Sequence, residues 1–225
     1  VTGVLEVISQ SLPYLAEGVV ITLVLVLAAL GLGLLMGLPM AVAHVYGTRA
    51  VKGIISVYVW FFRALPNLVL LFLFFFGVFP LLGLGDVSPF LVAIIVLGLR
   101  SGAYQSQIFR GAIQSLGEGQ MTAARSLGMS RGQAIKSIIL PQAARIALPG
   151  WTNEYPILLT DSAVCYAIGV MEILFRADQI VSVTYEPMTV YVGAAVVYIL
   201  LNYGGMWIFG RVEKKISIPG FGKGA

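Results

Sequence analysis

Long, uninterrupted apolar runs constrain this chain more than any other feature of its sequence. Five stand out: Val19–Val42, Leu65–Leu84, Pro89–Leu99 with its continuation to Phe109, Ile157–Phe175 and Thr189–Phe209. A bilayer core about 30 Å thick needs roughly 20 mostly apolar residues per helix, and the runs are of that order rather than short amphipathic stripes. Composition agrees. Of the 225 residues 59% are hydrophobic and only 11% charged, against about 25% charged in a soluble domain. The expectation is an all-α membrane protein, a single domain over residues 1–225 with about five transmembrane helices and no internal repeat.

The first run is not expected to be a secretory signal. The residues before it contain Glu6 and Glu17 and no Lys or Arg, where a signal needs a positive start and a shorter apolar core. The single Cys165 allows no internal disulfide and no cysteine-based metal site. The single His44 falls near the end of the first run and reads as an interfacial side chain. Tyr14, Trp60, Trp151 and Trp207 read as interfacial anchors in the same way.

The formal charge of +4 matters less than where the bases stand. Arg49 and Lys52 follow the first run; Asp86 and no base follows the second. Arg110, Arg125, Arg131, Lys136 and Arg145 follow the third; Arg176 is set against Asp178 and Glu186 after the fourth; Arg211, Lys214, Lys215 and Lys223 follow the fifth. Basic and base-poor connections thus alternate, which by the positive-inside rule puts the N-terminus outside, the C-terminus in the cytoplasm and the central basic stretch in the cytoplasm. Each cluster flanks a span, so topology accounts for the bases and nucleic acid is not needed to explain them.

That central stretch, AARSLGMSRGQAIKSIILPQAARIALPG (Ala123–Gly150), is polar at first and punctuated by Gly and Pro. A first helix over Gly119–Leu127 ends at Gly128, a residue suited to a C-cap. Ser130 caps a second helix from Arg131 to Leu140, which stops before Pro141. The two make a projecting knob, with small residues Ala123, Ala124, Ser126 and Gly128 that let another surface come close. An ordinary loop is the alternative on physical grounds.

The pattern G-Q-x-x-A-A-x-x-L-G, here Gly119, Gln120, Ala123, Ala124, Leu127 and Gly128, followed by Ile138, Leu140 and Pro141, resembles the coupling loop of transmembrane subunits of ATP-binding-cassette importers. FFRALP with Arg63 and Pro66, SGAYQSQIFRG with Gly102, Ala103, Tyr104, Arg110 and Gly111, LPGWTNE, LLTDSA with Asp161 and Ser162, and AIGV occur in order and point to the polar amino acid uptake family, of the histidine, arginine and glutamine type. The resemblance covers about residues 18–215. It departs from the family pattern at Thr122 and Gln107, where Glu is usual, at FFRALP and Leu70, where R-G-T-P and a later Gln are usual, and at Thr160, where a cation is usual.

The resemblance implies a type I importer permease with a cytoplasmic coupling loop at about 117–141, in a prokaryotic cell membrane. It implies a cytoplasmic ATP-binding-cassette ATPase dimer gripping Gly119, Ala123, Ala124, Leu127 and Gly128, a second transmembrane subunit, identical or homologous, and an extracytoplasmic binding protein that delivers an amino acid. The chain itself has no P-loop, nucleophile elbow or His–carboxylate cluster. No catalytic residue, metal site or cofactor is therefore expected in it, and ATP and Mg belong to the partner ATPase.

Ionisable residues inside a span are costly and face a cavity or a partner. Arg100 lies about eleven residues past Pro89, roughly 16 Å along a helix, near the midplane. Asp161 lies near the middle of Ile146–Phe175. An amino acid needs a cation for its carboxylate and an acceptor for its ammonium. Arg100 and Asp161 supply these, with Thr160, Ser162 and Tyr104 beside them. A structural ion pair between two spans is the equal alternative, and a self-contained channel or secondary transporter using the same two residues is the competing class. Arg63 reads as a topological cation at the cytoplasmic interface; Glu154 and Glu172 read as gate or helix-end charges. Gly33 and Gly37 form a G-x-x-x-G in the first span, for close helix packing or as ordinary membrane-helix glycine.

Overall fold

The computed structural model describes residues 2–216, with side chains from Leu12 onward; Lys223 of the expected basic tail lies outside the described residues. Helix α1 (Thr2–Tyr46) is longer than the apolar run that announced it. Gly47 closes it, its N–H donating to Ala43 O at 2.8 Å. Thr48 then caps α2 (Arg49–Ala64), its hydroxyl oxygen accepting from Val51 N–H.

The next apolar run is not one straight span. The chain turns by 109° between α2 and the segment Asn67–Leu81, which consists of α3 (Asn67–Phe72), a π-helical stretch Leu73–Val78 and α4 (Phe79–Leu81). The cause is local. Leu65 precedes Pro66, a position from which the α-conformation is sterically pushed out, and both residues are extended (ψ 139° and 143°). The expected Leu65–Leu84 span thus begins at a sharp corner, with α2 as its other arm.

Helix α5 (Pro89–Ser115) starts with Ser88 as its cap and Pro89 at the first helical position, where a missing N–H costs nothing. The knob follows as α6 (Gly119–Ser126) and α7 (Arg131–Ala134). Its second helix does not stop at Pro141, as the sequence suggested. A π-helical stretch, Ile135–Ile139, carries it into α8 (Leu140–Thr152), with Leu140 N–H reaching back to Ile135 O. Widening the turn accommodates the missing Pro141 donor without breaking the rod. Helix α9 (Glu154–Ala163), a 3-10 turn Val164–Ile168, α10 (Ile173–Thr184) and α11 (Pro187–Ile216) complete the chain.

Three helices, Leu12–Tyr46, Pro89–Ser115 and Pro187–Ile216, are long and apolar enough to cross a membrane; two bent pairs, Arg49–Ala64 with Asn67–Leu81 and Arg131–Ile168 with Ile173–Thr184 (51°), raise the number to five. Helix α5 is the central post, with 56% of its apolar window buried against 6% for α11. It packs on α1, α2, α8 and α9.

The contact between α1 and α5 depends on Gly33 and Gly37. A Cβ on Gly33 would stand 2.5 Å from Gln105 Nε2 and 2.9 Å from Ser101 Oγ; one on Gly37 would stand 2.9 Å from Gln105 Cβ and 3.1 Å from Gly102 O. The G-x-x-x-G is thus a packing surface, with the two helices so close that a side chain at either position forces a neighbour to shift. Polar groups fill the seam. Gln105 donates to Leu30 O (3.1 Å) and Ser101 Oγ (2.9 Å), Ser101 donates to Glu154 Oε2 (3.0 Å), and Trp151 Nε1–H donates to Gln105 Oε1 (2.8 Å). Trp151 was expected to anchor at the interface; instead its indole is an internal donor packed edge-on against Phe209. Trp60 and Trp207 do stay exposed on the apolar outside.

The end of the bundle away from the knob is tied by Arg176, whose guanidinium donates to Glu17 Oε2 (2.7 Å) and Tyr14 O (3.1 Å) and lies 4.3 Å from the Tyr14 ring centroid. Arg176 therefore pairs with α1, not with Asp178, which accepts from Tyr191 OH at 3.0 Å. Glu172 is a helix-end charge: its carboxylate accepts Leu174 and Phe175 N–H (2.9 and 2.7 Å) at the start of α10 and the Tyr198 hydroxyl of α11.

Candidate functional site: a buried ion pair and a projecting knob

Two features combine residues that the core does not need. The first lies where α3, α5 and α9 meet. Arg100 of α5 forms a salt bridge through NH1 with Asp161 Oδ2 of α9, the side chains being 17% and 20% exposed. Asn67, at the start of α3, donates from Nδ2 to Asp161 O at 3.3 Å. Two buried atoms at this junction have no partner, Arg100 Nε and Asn67 Oδ1. Buried polar atoms are almost always paired, so an unsatisfied donor and an unsatisfied acceptor beside one ion pair mark a place where polar chemistry is incomplete.

Tyr104, one turn along α5 from Arg100, is the floor of the site. The Arg100 guanidinium carbon lies 5.1 Å from its ring centroid and that of Arg63 lies 4.8 Å from it. Arg63, exposed in the last turn of α2, thus shares the Tyr104 ring with Arg100, a neighbour that its expected role as an interfacial cation does not require. The reason is the corner at Leu65–Pro66: it ends α2 beside α5, where Tyr58 OH already donates to Leu99 O at 2.7 Å. A run of apolar letters does not reveal a 109° turn, although the Leu65–Pro66 pair was the available signal.

Thr160 and Ser162 flank Asp161 on α9, and each hydroxyl directs its proton to its own helix. Thr160 donates to Pro156 O and Ile157 O (3.1 and 2.8 Å), and Ser162 donates to Leu159 O (2.7 Å) with no surface exposed. The structure thus brings together Arg100, Asp161 and Tyr104 of the expected set, adds Arg63 and Asn67, and leaves Thr160 and Ser162 as helix neighbours. Glu154, also expected at a boundary, is buried (3% exposed) in the α1–α5–α9 seam.

The second feature is the knob. Gly117 and Gly128 both have positive φ (66° and 82°) and bound α6 on either side. Gly128 N–H donates to Arg125 O (3.0 Å) and Met129 N–H to Ala124 O (3.2 Å), closing α6 with a left-handed residue. Ser130 and Gln133 then form a reciprocal capping box for α7. These two locks make the loop rigid. Ala123, Leu127, Gly119 and Gly128 are presented outward, Leu127 at 84% exposure, whereas Ala124 is buried and holds α6 onto the following helix. Arg131, stacked 5.2 Å from the Tyr46 ring centroid, ties the knob to the end of α1. A cavity of about 560 Å³, lined in part by Tyr46, Gln114, Glu118 and Arg131, lies between the knob and the ends of α1 and α5. His44, expected at an interface near this end, is buried, and its Nδ1 has no partner.

Residues 29–218 match the family described as binding-protein-dependent transport system inner membrane component. The nopaline transport system permease protein NocM of Agrobacterium fabrum is 33% identical over 207 residues, spanning 88% of this chain and 86% of that protein. The histidine/lysine/arginine/ornithine transport system permease protein HisM of Salmonella typhimurium is 34% identical over 210 residues, 90% of this chain and 89% of that one. A crystal structure of an amino acid ABC transporter with histidines superposes with a TM-score of 0.83 at 32% identity, over 92% of this chain and 96% of that one. The chain belongs to the inner membrane components of binding-protein-dependent transport systems, the permease subunits of ATP-binding-cassette importers. Membership decides between the two transport readings in favour of the amino acid importer subunit.

Proposed function

We propose that the whole chain is one permease domain that carries a polar amino acid through the site at Arg100 and Asp161 and couples that passage to ATP hydrolysis by a separate cytoplasmic ATPase dimer. The observation that carries this reading is the ion pair with its two unsatisfied neighbours, Arg100 Nε and Asn67 Oδ1. A substrate carboxylate offers acceptors to the Arg100 fork, and a substrate ammonium offers donors to Asp161 and Asn67. The internal ion pair then holds the empty site closed, and substrate exchanges its own two charges for it. Relatives named for nopaline and for histidine, lysine, arginine and ornithine support an amino acid framework common to their substrates.

The N-terminus lies outside and the knob lies in the cytoplasm, on the distribution of bases. A second transmembrane subunit, identical or homologous, completes the path, and an extracytoplasmic binding protein supplies substrate. The setting is a prokaryotic cell membrane crossed several times. The ATPase pair grips Gly119, Ala123, Leu127 and Gly128, with buried Ala124 keeping that surface in shape. Nucleotide and Mg reside on the ATPase, and this chain holds no cofactor and performs no catalysis. Closure of the ATPases pushes the rigid knob, and through α7–α8 that push reaches α9 and Asp161. Driving such a two-state rocker from one side to the other takes about 5.5 kcal/mol of differential stabilisation.

The test is ATP hydrolysis in liposomes containing this chain, its ATPase and any second transmembrane subunit, with binding protein loaded by one amino acid at a time. Stimulation by a loaded binding protein that disappears in Gly128→Asp supports the reading. A flat response from an intact complex rejects it.

A further inference from the structure

Arg63 is the charge at this site that the Arg100–Asp161 pair does not answer; no carboxylate lies within salt-bridge distance of it among the described residues. Its guanidinium carbon is 4.8 Å and that of Arg100 5.1 Å from the Tyr104 ring centroid, so the two cations lie no further apart than the sum of those lengths. Among the described residues, Asp161 is the single carboxylate that pairs with either. Glu154, the next acid in this part of the fold, is 3% exposed and holds the Ser101 hydroxyl inside the helix seam. The tyrosine ring's negative face eases the like-charge approach but does not neutralise it.

A plain zwitterion fills only part of this arrangement. Its carboxylate matches Arg100, including the free Nε, and its ammonium matches Asp161 and the free Oδ1 of Asn67, which is 8% exposed. One guanidinium is left over. Taking the Arg100–Asp161 site as the substrate site, we propose that Arg63 receives a second carboxylate, so that the transported molecule is an amino acid with two carboxylates. The second is carried either on the side chain, as in glutamate, or on the amino nitrogen, as in an opine. Glutamine, of the same shape as glutamate but neutral, forgoes the charge-assisted pair, a difference of about tenfold or more in affinity.

The experiment is equilibrium binding to the complex of this chain with its ATPase and any second transmembrane subunit in lipid nanodiscs, without binding protein, so that selectivity belongs to the transmembrane site. The probes are radiolabelled glutamate and octopine, each competed with glutamine, arginine and histidine. Glutamate or octopine exceeding glutamine by about tenfold, with the preference abolished in Arg63→Gln and kept in Arg63→Lys, is the expected result. The better of the two labelled probes tells where the second carboxylate is attached. Glutamine, arginine or histidine binding as well as both dicarboxylates overturns the proposal, as does a preference that survives Arg63→Gln. If Arg63→Gln fails to assemble, the competition in the unaltered complex decides alone. Binding that is unaffected by Arg100→Gln, or absent for every compound, overturns the site reading itself, a failure distinct from the wrong substrate class.

Discussion

Arg100 and Asp161 are the two residues whose removal separates structure from transport. Arg100 and Asp161 are each about four-fifths buried, and a buried charge without its partner is costly, whereas losing both members together is far milder. Arg100→Gln and Asp161→Asn are expected to destabilise singly, and a double-mutant cycle on unfolding of the detergent-solubilised protein should return a coupling of about 0.5–3 kcal/mol. The double variant regains most of the stability and none of the amino acid binding. A double variant that still binds substrate would mean that the pair serves only to join α5 to α9. Position along the runs set both residues at one height in advance, because helical rise converts residue number to distance directly, and they meet there. It did not place Asn67 or Arg63, whose positions depend on a corner and on which face of α5 that corner meets.

Among the elements, the α1–α5 contact gives a graded prediction. Gly31, Gly33 and Gly37 look alike as letters in one helix. A Cβ at Gly31 meets nothing within 4 Å, one at Gly33 meets the flexible end of Gln105 and the Ser101 hydroxyl, and one at Gly37 meets the Gly102 carbonyl and the Ser106 amide of the neighbouring backbone. Gly31→Ala is therefore expected to be neutral or to stabilise by up to about 1 kcal/mol through helix propensity. Gly37→Ala should cost about 1–3 kcal/mol by overpacking, with Gly33→Ala between them. Thermal unfolding of the three variants in detergent checks the order, and equal effects would contradict the close packing. The knob follows similar logic. Gly128 has open space but a φ of 82°, so Gly128→Ala strains the backbone by about 1–2 kcal/mol. The expected readout is faster amide exchange in α6 and weaker ATPase docking, with amino acid binding at the distant ion pair kept. Helix ends and caps in this region were legible in the sequence, since Gly128 and Ser130 act through local geometry alone. The passage of the helix through Pro141 was not, because a π-helical turn depends on what the rod packs against.

Over the whole molecule, the alternation of basic and base-poor connections predicts which end faces which side. Asp86 and Glu118 are both exposed, on connections expected at opposite faces of the membrane. Asp86→Cys should react with a membrane-impermeant thiol reagent in intact cells, and Glu118→Cys only after permeabilisation; the native thiol, Cys165, is buried. The reverse pattern would invert the topology and move the knob out of the ATPase's reach.

The membrane class, the number of apolar segments, the knob with its two caps and the matching heights of Arg100 and Asp161, which meet as an ion pair, were all determined by the sequence itself. Each rests on one-dimensional quantities: run length against bilayer thickness, rise per residue, charge order, and turn chemistry set by Gly, Ser and Pro. Only the tertiary structure decided that Trp151 donates inside a polar seam, that Glu172 caps a helix and binds Tyr198 of α11, that Arg176 reaches back to Glu17, and that Arg63 shares the Tyr104 ring with Arg100. Those partners lie tens of residues or more apart along the chain. Their meeting depends on the 109° corner at Leu65–Pro66 and on a helix approach that Gly33 and Gly37 permit. Pair contacts of that kind follow from packing in three dimensions, which no local pattern of residues specifies.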